Sequence, residues 1–438
     1  MSFFLNGIHV PHRKNTAGQS AVRIAGATLV TIPMQMHIGA PAEPIVKVGD
    51  EVKVGSLIAK QGGTFSAPIH SSVSGKVVKI SDVLISNGTR VPAITIQSDG
   101  AMTPLETIKP PTVNSRDDLI TAIRESGIVG LGGAGFPTHV KLNVDYSKIE
   151  ELIINGAECE PYITSDTLTM TERADDMECA LNAFKKYFGI KRIIIGIESN
   201  KKDAIASMQS LARRVEGVEV AVLPSVYPQG GEKVLVYHTT KKVIPAGKLP
   251  KDVGCIVLNC TTVAAIGAYL GTGMPLVEKC VTVDGGAVNE PKNVIVPIGT
   301  PTSHVFASCG GFKSEPAKLV YGGPMMGVTV PNSDAPVIKN TNALLALTDK
   351  EARLPKTTAC IRCGSCTNTC PFGLAPAEIL LAYKKNDVNA LADLSVNTCM
   401  ECGCCSFVCP ANRPLVQTNK LAKILIKEEM AKEGTKNG

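Results

Sequence analysis

The sequence predicts a multidomain chain of mixed α/β and α+β class, and three observations lead there. At 438 residues it exceeds one ordinary domain, so two to four are expected. Its patterning changes along the chain, from short strands to helices alternating with strands and back to strands. Eight of its 15 cysteines also fall into two identically spaced groups near the C-terminus.

A hydrophobic fraction of 44% with 19% charged residues belongs to a globular protein. The charge balance, 45 basic against 39 acidic residues, leaves +6, too small and too dispersed an excess to argue for nucleic acid. It suits acidic partners or a membrane surface without requiring either. Residues 1–18 carry Arg13 and Lys14 but no apolar stretch of signal-peptide type. No uninterrupted apolar run approaches the ~18–20 residues of a membrane span. The expectation is a cytosolic chain whose membrane contact is peripheral, at the cytoplasmic face of the cell membrane.

Residues 1–108 read as short strands and turns. Ile45 to Ile58 alternates apolar and polar residues around Gly49-Asp50 and Gly55, and Ser71 to Ile80 repeats the idea. The segment resembles the lipoyl/biotinyl barrel-sandwich fold. It has no lysine between Gln61 and Gly75 where such domains carry a modifiable one, so a docking module is expected rather than a swinging carrier. Pro-rich residues 104–112 mark a boundary.

Residues 109–274 alternate: helix over Asp117–Ser126, strand over Glu151–Ile154, helix over Glu172–Phe188, strand over Arg192–Ile197, helix over Ser199–Val215, strand over Val218–Leu223. Gly254 to Gly271 adds a strand and a helix. Such alternation predicts an α/β layer with a parallel sheet. Residues 275–312 return to β-type sequence with turns at Gly285-Gly286 and Gly310-Gly311. Residues 313–354 are expected to connect, 355–415 hold the cysteine groups, and 416–438 form a basic tail. Its Lys-rich helix, Leu415 to Glu433, is expected to be a solvated surface helix.

Cys360, Cys363, Cys366 and Cys370-Pro371 make C-x2-C-x2-C-x3-C-P, and Cys399, Cys402, Cys405 and Cys409-Pro410 repeat it. Two-residue gaps let one loop wrap three corners of an iron–sulfur cube. In this motif the fourth cysteine ligates the other cluster. Cluster one then takes Cys360, Cys363, Cys366 and Cys409; cluster two takes Cys399, Cys402, Cys405 and Cys370. A pair of zinc sites is the alternative, but zinc motifs use two C-x2-C pairs well apart and do not repeat x2-x2-x3-Pro. Two 4Fe–4S clusters, and hence electron transfer, are expected. Cys404 stands outside the pattern as a spectator thiol. Cys159, Cys179, Cys255, Cys260, Cys280 and Cys309 read as buried thiols used as small hydrophobes.

Gly127 to Lys141 reads GIVGLGGAGFPTHVK. It is either a tight turn or a phosphate cradle, since absent side chains let backbone N–H groups approach an anion. No clear strand precedes it, so it is not the usual dinucleotide fingerprint.

GLGGAGFPT (Gly130 to Thr138) with Lys141 resembles the flavin loop of the NADH-binding subunit of respiratory complex I. NGAECEP (Asn155 to Pro161), YPQGGE (Tyr227 to Glu232) and Asn259 with Thr261-Thr262 are similar to further segments of that family. Residues 275–312 resemble its soluble-ligand-binding β-grasp module. The order barrel, flavin domain, β-grasp and two-cluster ferredoxin resembles the RnfC family, a component of the Rnf membrane-bound ferredoxin:NAD oxidoreductases, from about Phe3 to Pro414.

The resemblance implies roles. Gly132, Gly133 and Gly135 would bring backbone to FMN, with Lys141 reaching the flavin or its phosphate. Asn155, Glu158 and Asn259 would face the flavin. Phe136 would stack on the adenine of NAD(H), and Glu160 and Glu232 would hold nucleotide hydroxyls or amide; without the resemblance these glutamates read as ordinary surface carboxylates. The implied function is an electron-transfer subunit of an enzyme complex that couples ferredoxin:NAD oxidoreduction to Na+ or H+ translocation. Implied partners are an iron–sulfur subunit and membrane-spanning subunits, with ferredoxin indirect. Leu131 and Ala157 depart from the arginine and aspartate of the complex I subunits, which would weaken flavin binding. They keep open a cluster-only electron wire, and a cobalamin reductase of related architecture is the other rival.

Overall fold

The computed structural model describes residues 5–86 and 88–436. Residues 1–4, where the expected first domain and the resemblance begin, and the last two of the tail lie outside the described residues.

The N-terminal part consists of β1 (Val22–Arg23), β2 (Leu29–Pro33), β3 (Glu43–Pro44), β4 (Glu51–Val52), β5 (Leu57–Lys60), β6 (Ile69–His70), β7 (Gly75–Leu84) and β8 (Arg90–Ser98). Two antiparallel sheets, β2-β8-β7-β4 and β3-β5-β6, close over Val30, Ile32, Ile58, Val77, Ile94 and Ile96. This is the expected barrel-sandwich layering. β1 leaves it to pair with a strand of the third unit.

The α/β unit contains α1 (Arg116–Glu125), α2 (Thr138–Leu142), β9 (Glu151–Asn155), α3 (Ser165–Glu172), α4 (Ala174–Phe188) and β10 (Arg192–Glu198). It continues with α5 (Lys202–Arg214), β11 (Val218–Leu223), α6 (Glu232–Thr240), β12 (Cys255–Asn259) and α7 (Cys260–Thr272). The sheet is entirely parallel, in the order β11-β10-β9-β12. Helices cover both faces, so β9 and β12 read as unbroken buried runs instead of alternating. The chain runs outward from β9 through β10 to β11, then returns to place β12 on the other side of β9. The order therefore reverses between β9 and β12, and crevices at such switch points, outside the carboxyl ends of strands, are where α/β sheets bind ligands.

The third unit comprises β13 (Glu278–Asp284), β14 (Lys292–Pro297), α8 (Thr302–Ser308), β15 (Lys318–Tyr321), β16 (Val328–Thr329) and β17 (Ala343–Leu347). They form one sheet ordered β1-β14-β13-β17-β15-β16. Residues 313–354 are thus not a connector: β17, every residue of it buried, lies between β13 and β15. Its sequence ALLAL has no alternation to announce a strand, because both of its faces are covered.

The C-terminal unit holds α9 (Asp349–Ala352), α10 (Ser365–Asn368), α11 (Pro376–Lys384), α12 (Val388–Asp393), α13 (Cys404–Phe407) and α14 (Leu415–Lys436). α14 is not a solvated helix. Leu415, Ala422 and Ile426 are buried, the last two in a core with Ile379 of α11 and Leu391 of α12. Among the described residues no helix is long and apolar enough to cross a membrane.

One buried cation joins three units. Lys339 is 1% exposed, and its Nζ donates to the carbonyls of Pro68 in the barrel (2.7 Å) and Gly127 in the α/β unit (2.6 Å). Burial pulls its pKa down to about 7, from an ordinary lysine value of 10.5. Between these values the unfolded chain binds the extra proton, so the Lys339 contribution makes stability rise with pH across that window. Lys14 and Lys279, lowered to about 8 by burial, act in the same sense, so a difference isolates Lys339. We predict that Lys339→Met flattens the rise in unfolding free energy between pH 7 and 9 by up to on the order of 1 kcal/mol per pH unit. Denaturant titrations of both chains across that range check it; parallel profiles would mean that the ammonium titrates as it does in the unfolded chain.

Candidate functional site

Asn155 and Asn259 end β9 and β12 and stand opposite each other in register, at the switch point. The Asn155 amide donates to the carbonyl of Gly230 (2.9 Å), and its Oδ1 accepts from the amide of Ala157 (3.1 Å). Asn259 caps α7: its Oδ1 accepts from the amides of Thr261 and Thr262, and its Nδ2 donates to Asp166 (2.7 Å). Two further contacts bring in the glycine loop. The amide of Leu131 donates to Thr262 Oγ1 (3.0 Å), and Gly132 lies so close that an added Cβ would sit 2.4 Å from Asn259 Nδ2. Gly132, Gly133 and Ala134 are exposed, so the loop lays bare backbone beside the positive end of α7. At 132 that close approach requires glycine, and the exposed loop beside the start of α7 fits a phosphorylated cofactor.

Gly135 takes φ +70°, packed against Met36 and His37 of the barrel. Phe136, half-buried, follows it. Lys141 donates to Glu232 at 2.7 Å, both side chains about one-third exposed (32% and 38%). Glu232 opens α6, where a carboxylate suits the helix N-terminus. Gly132, Asn155 and Asn259 therefore meet at the switch-point groove; Gly133, Gly135 and Phe136 follow along the same loop, and the Lys141–Glu232 pair ties the end of that loop to the start of α6. Leu131 turns inward and is buried in the core.

The structure does not bring the other two glutamates there. Glu158 is buried, accepting from the amide of Asp166 (2.7 Å) and the hydroxyl of Thr167 (2.7 Å) at the start of α3. Burial raises its pKa, against the nearby cations Lys14 and Lys201. Glu160 accepts from the amides of Met325 (3.1 Å) and Met326 (2.8 Å) in the third unit, and burial pushes it up to about 7. Lys14 fastens this stretch by donating to the carbonyls of Glu158, Glu160 and Ile163, using all three of its donors.

The two cysteine groups match in backbone detail. Arg362 and Gly364 take φ +56° and +76°; their counterparts Glu401 and Gly403 take +63° and +82°. Each positive-φ pair turns amides inward: the N–H of Arg362 points at Cys360 Sγ and that of Glu401 at Cys399 Sγ, both at 3.4 Å. α10 and α13 start at matching positions, as do α11 and α14, so the repeat extends beyond the cysteines. Cys370, from the first group, lines one cavity with Cys399, Cys402 and Cys405 of the second. Cys366 and Cys409 share an apolar cluster. Thiolate donors, inward amides and crossed placement fit iron–sulfur cubes. Cys404 occupies the position of Ser365 and is buried, its Sγ facing the carbonyl of Tyr227 (3.8 Å). Of the scattered six, Cys255, Cys260 and Cys309 are buried and Cys159 and Cys280 half-buried; Cys179 is exposed, on the outer face of α4.

Four family models match in order: the RnfC barrel sandwich hybrid domain over residues 2–101, the Nuo51 FMN-binding domain over 123–268, the SLBB domain over 280–329 and a 4Fe-4S dicluster domain over 359–413. The C component of the Na+-translocating ferredoxin:NAD+ oxidoreductase complex of Acetobacterium woodii is 41% identical, the match covering 87% of this chain and 88% of that one. Its proton-translocating counterpart from Clostridium ljungdahlii is also 41% identical, over 87% and 85% of the two chains. The C component of the ion-translocating oxidoreductase complex of Rhodobacter capsulatus is 41% identical over 98% and 84%.

The chain belongs to the RnfC family.

Among solved structures, an NAD+-reducing nickel–iron hydrogenase shares the fold with TM-score 0.50 at 17% identity, covering 72% of this chain and 62% of that one.

In this RnfC-family chain one turn touches both the groove and the second cysteine loop. Tyr227 is 2% exposed, and its hydroxyl donates to the carbonyl of Cys402 (2.7 Å). Gly230 bonds Asn155 through its carbonyl and approaches Cys159 Sγ through its amide (3.4 Å). Gly231 lies under Met400, where an added Cβ would meet the methionine at 2.2 Å. The sequence shows Tyr227 only as part of a motif and gives no hint of this joint. Two residues of α14 carry no motif of their own: Asn419, whose amide points at Cys399 Sγ (3.4 Å), and Lys423, which donates to Cys399 O (3.1 Å). A signal for them exists, since Leu415, Asn419 and Lys423 recur at intervals of four on one helix face.

Tyr227→Phe strands a buried carbonyl and should cost on the order of 1–3 kcal/mol of stability. Stopped-flow absorbance should show flavin reduction by NADH kept and cluster reduction slowed; equal slowing of both would assign the tyrosine to the groove. Cys370→Ala should damage the cluster of Cys399, Cys402 and Cys405 and spare that of its own group. EPR of the reduced protein distinguishes the two, and the opposite pattern rules out crossed ligation.

Proposed function

We propose that this chain is the nucleotide-handling electron-transfer subunit of an ion-translocating ferredoxin:NAD oxidoreductase, with NAD(H) bound in the groove at the carboxyl ends of β9 and β12. FMN held there supplies the conversion between two-electron nicotinamide chemistry and one-electron cluster chemistry. The chain's own residues bind and orient. Gly132, Gly133 and Gly135 present backbone to the cofactor, Asn155 and Asn259 flank it, and Lys141 places a positive charge beside it, aimed by Glu232. Phe136 offers a face to adenine. Glu158 and Glu160 serve by bracing the loop that follows Asn155.

The observation that carries the reading is the turn from Tyr227 to Gly231. It holds Asn155 at the groove and Cys402 and Met400 at the cysteine loop, so the cluster of Cys399, Cys402, Cys405 and Cys370 is the groove's neighbour. The cluster of Cys360, Cys363, Cys366 and Cys409 then faces outward, since residues 353–364 are all exposed. Between Ala352 and Ala377 the chain carries Arg353, Lys356 and Arg362 and no acidic residue, which suits an acidic iron–sulfur partner. Electrons would enter or leave there, through an iron–sulfur subunit with ferredoxin beyond it. Ion movement belongs to membrane-spanning partners, with this chain peripheral on the cytoplasmic face.

An anaerobic NADH titration followed by visible spectroscopy tests this. Loss of a flavin band together with the iron–sulfur shoulder is expected. Bleaching by dithionite alone would make the chain a wire and move the nucleotide site to a partner. Glu232→Gln should slow NADH-driven bleaching about ten- to hundredfold, the loss of one charged hydrogen bond, with iron content unchanged.

A further inference from the structure

We propose that Phe65, from the N-terminal barrel, is a second aromatic wall of the nucleotide groove, so that the adenine of NAD(H) is held between Phe136 and Phe65. The inference rests on the reading of the groove given above and adds a residue from a different domain to it.

Among the described residues three phenylalanines are exposed, Phe65, Phe312 and Phe407, and of these Phe65 is the one whose ring meets the glycine loop. Phe65 is 51% exposed and stands at the tip of a short glycine turn. Its ring meets Phe136 edge to face, with centroids 6.0 Å apart and planes at 61°. Two half-open aromatics at the mouth of the groove cover each other, and a planar base would replace that contact with a stack on each ring.

The backbone around both rings is pinned while the Phe65 ring is open to solvent. Ala40 N donates to Phe65 O (2.9 Å), and Gly39, at φ +111°, passes so close that an added Cβ would sit 1.8 Å from that oxygen. Gly62 N and His37 Nε2 both bond Ser66 Oγ, at 3.0 and 3.1 Å. On the other side of the same barrel segment, Ile38 N donates to Gly135 O (3.2 Å). Residues 36–40 are thus clamped between the glycine loop and the Phe65 turn. Opening a slot for a base needs rotation of one exposed side chain and no backbone movement, which keeps the ordering cost of binding small. The barrel, expected from sequence to be a docking module, becomes part of the nucleotide site.

The test uses the full chain with its cofactors, and calorimetric binding of ADP-ribose, which carries adenine, and of nicotinamide mononucleotide, which does not. Phe65→Ala should weaken ADP-ribose roughly tenfold and leave the mononucleotide unchanged, while Phe65→Tyr should restore the affinity. NADH reduction kinetics should show the same loss in KM with kcat kept, and circular dichroism should be unaltered. If Phe136→Ala weakens ADP-ribose and Phe65→Ala does not, the second wall is overturned and the groove stands. If neither substitution matters, adenine lies elsewhere and the reading of the groove falls too. Equal weakening of both ligands by Phe65→Ala would make the ring structural and overturn the proposal.

Discussion

The hydrogen bond from the Tyr227 hydroxyl to the carbonyl of Cys402 is the joint on which the arrangement depends. Both groups are buried, so neither has water as an alternative partner, and a buried unpaired carbonyl is costly. The bond therefore fixes where the second cysteine loop sits relative to the turn that starts α6. That turn also positions Gly230 against Asn155 and Glu232 against Lys141. A shift at the cysteine loop would be felt in the groove, and the reverse. Hydride and electron chemistry need such registration, because catalytic and transfer geometry tolerate little displacement.

Around this joint the units are also tied together by lysines that donate to main-chain carbonyls, beside the apolar clusters that span them. Lys339 ties the barrel and the glycine loop to the third unit, and Lys14 grips the carbonyls of Glu158, Glu160 and Ile163. Burial lowers the pKa of each ammonium, so keeping the charge there carries a desolvation cost that the carbonyl contacts offset. What such a joint supplies is direction: an ammonium can satisfy its donors in only a few orientations, whereas apolar surfaces slide. β1 makes the same point in backbone terms, since it leaves the barrel to extend the third sheet beside β14.

How legible each feature is in the sequence follows from how local it is. The cysteine spacing, the glycine loop and the helix–strand alternation of residues 109–274 are contiguous patterns, and each can be read directly. β17 cannot, because a strand buried on both faces loses the alternation that marks strands. α14 reads as surface because its lysines dominate the composition, while the face of Leu415, Ala422 and Ile426 that packs on α11 and α12 is narrow. The motif around Glu160 points to the nucleotide. Its actual partners, the amides of Met325 and Met326, lie about 165 residues downstream, and no local pattern encodes that contact. Phe65 is silent in the sequence for the same reason: its neighbour Phe136 belongs to another domain.

The two cysteine groups repeat in sequence and backbone but not in surroundings, and the difference follows from their places in the chain. Cys402 and Cys405 are buried against Tyr227, Met400 and α14, whereas Cys360 and Cys363 are exposed. Potential depends on solvent access and on hydrogen bonds to sulfur, so identical ligand spacing does not make identical centres. In the proposed path the enclosed one would lie next to the nucleotide, where excluding water guards against loss of electrons to side reactions. In the same path the open one would be the one a partner reaches. Duplication of one motif thus yields two unlike stations, and the asymmetry comes from what packs on each copy: Tyr227 and α14 on the second, solvent and a basic surface on the first.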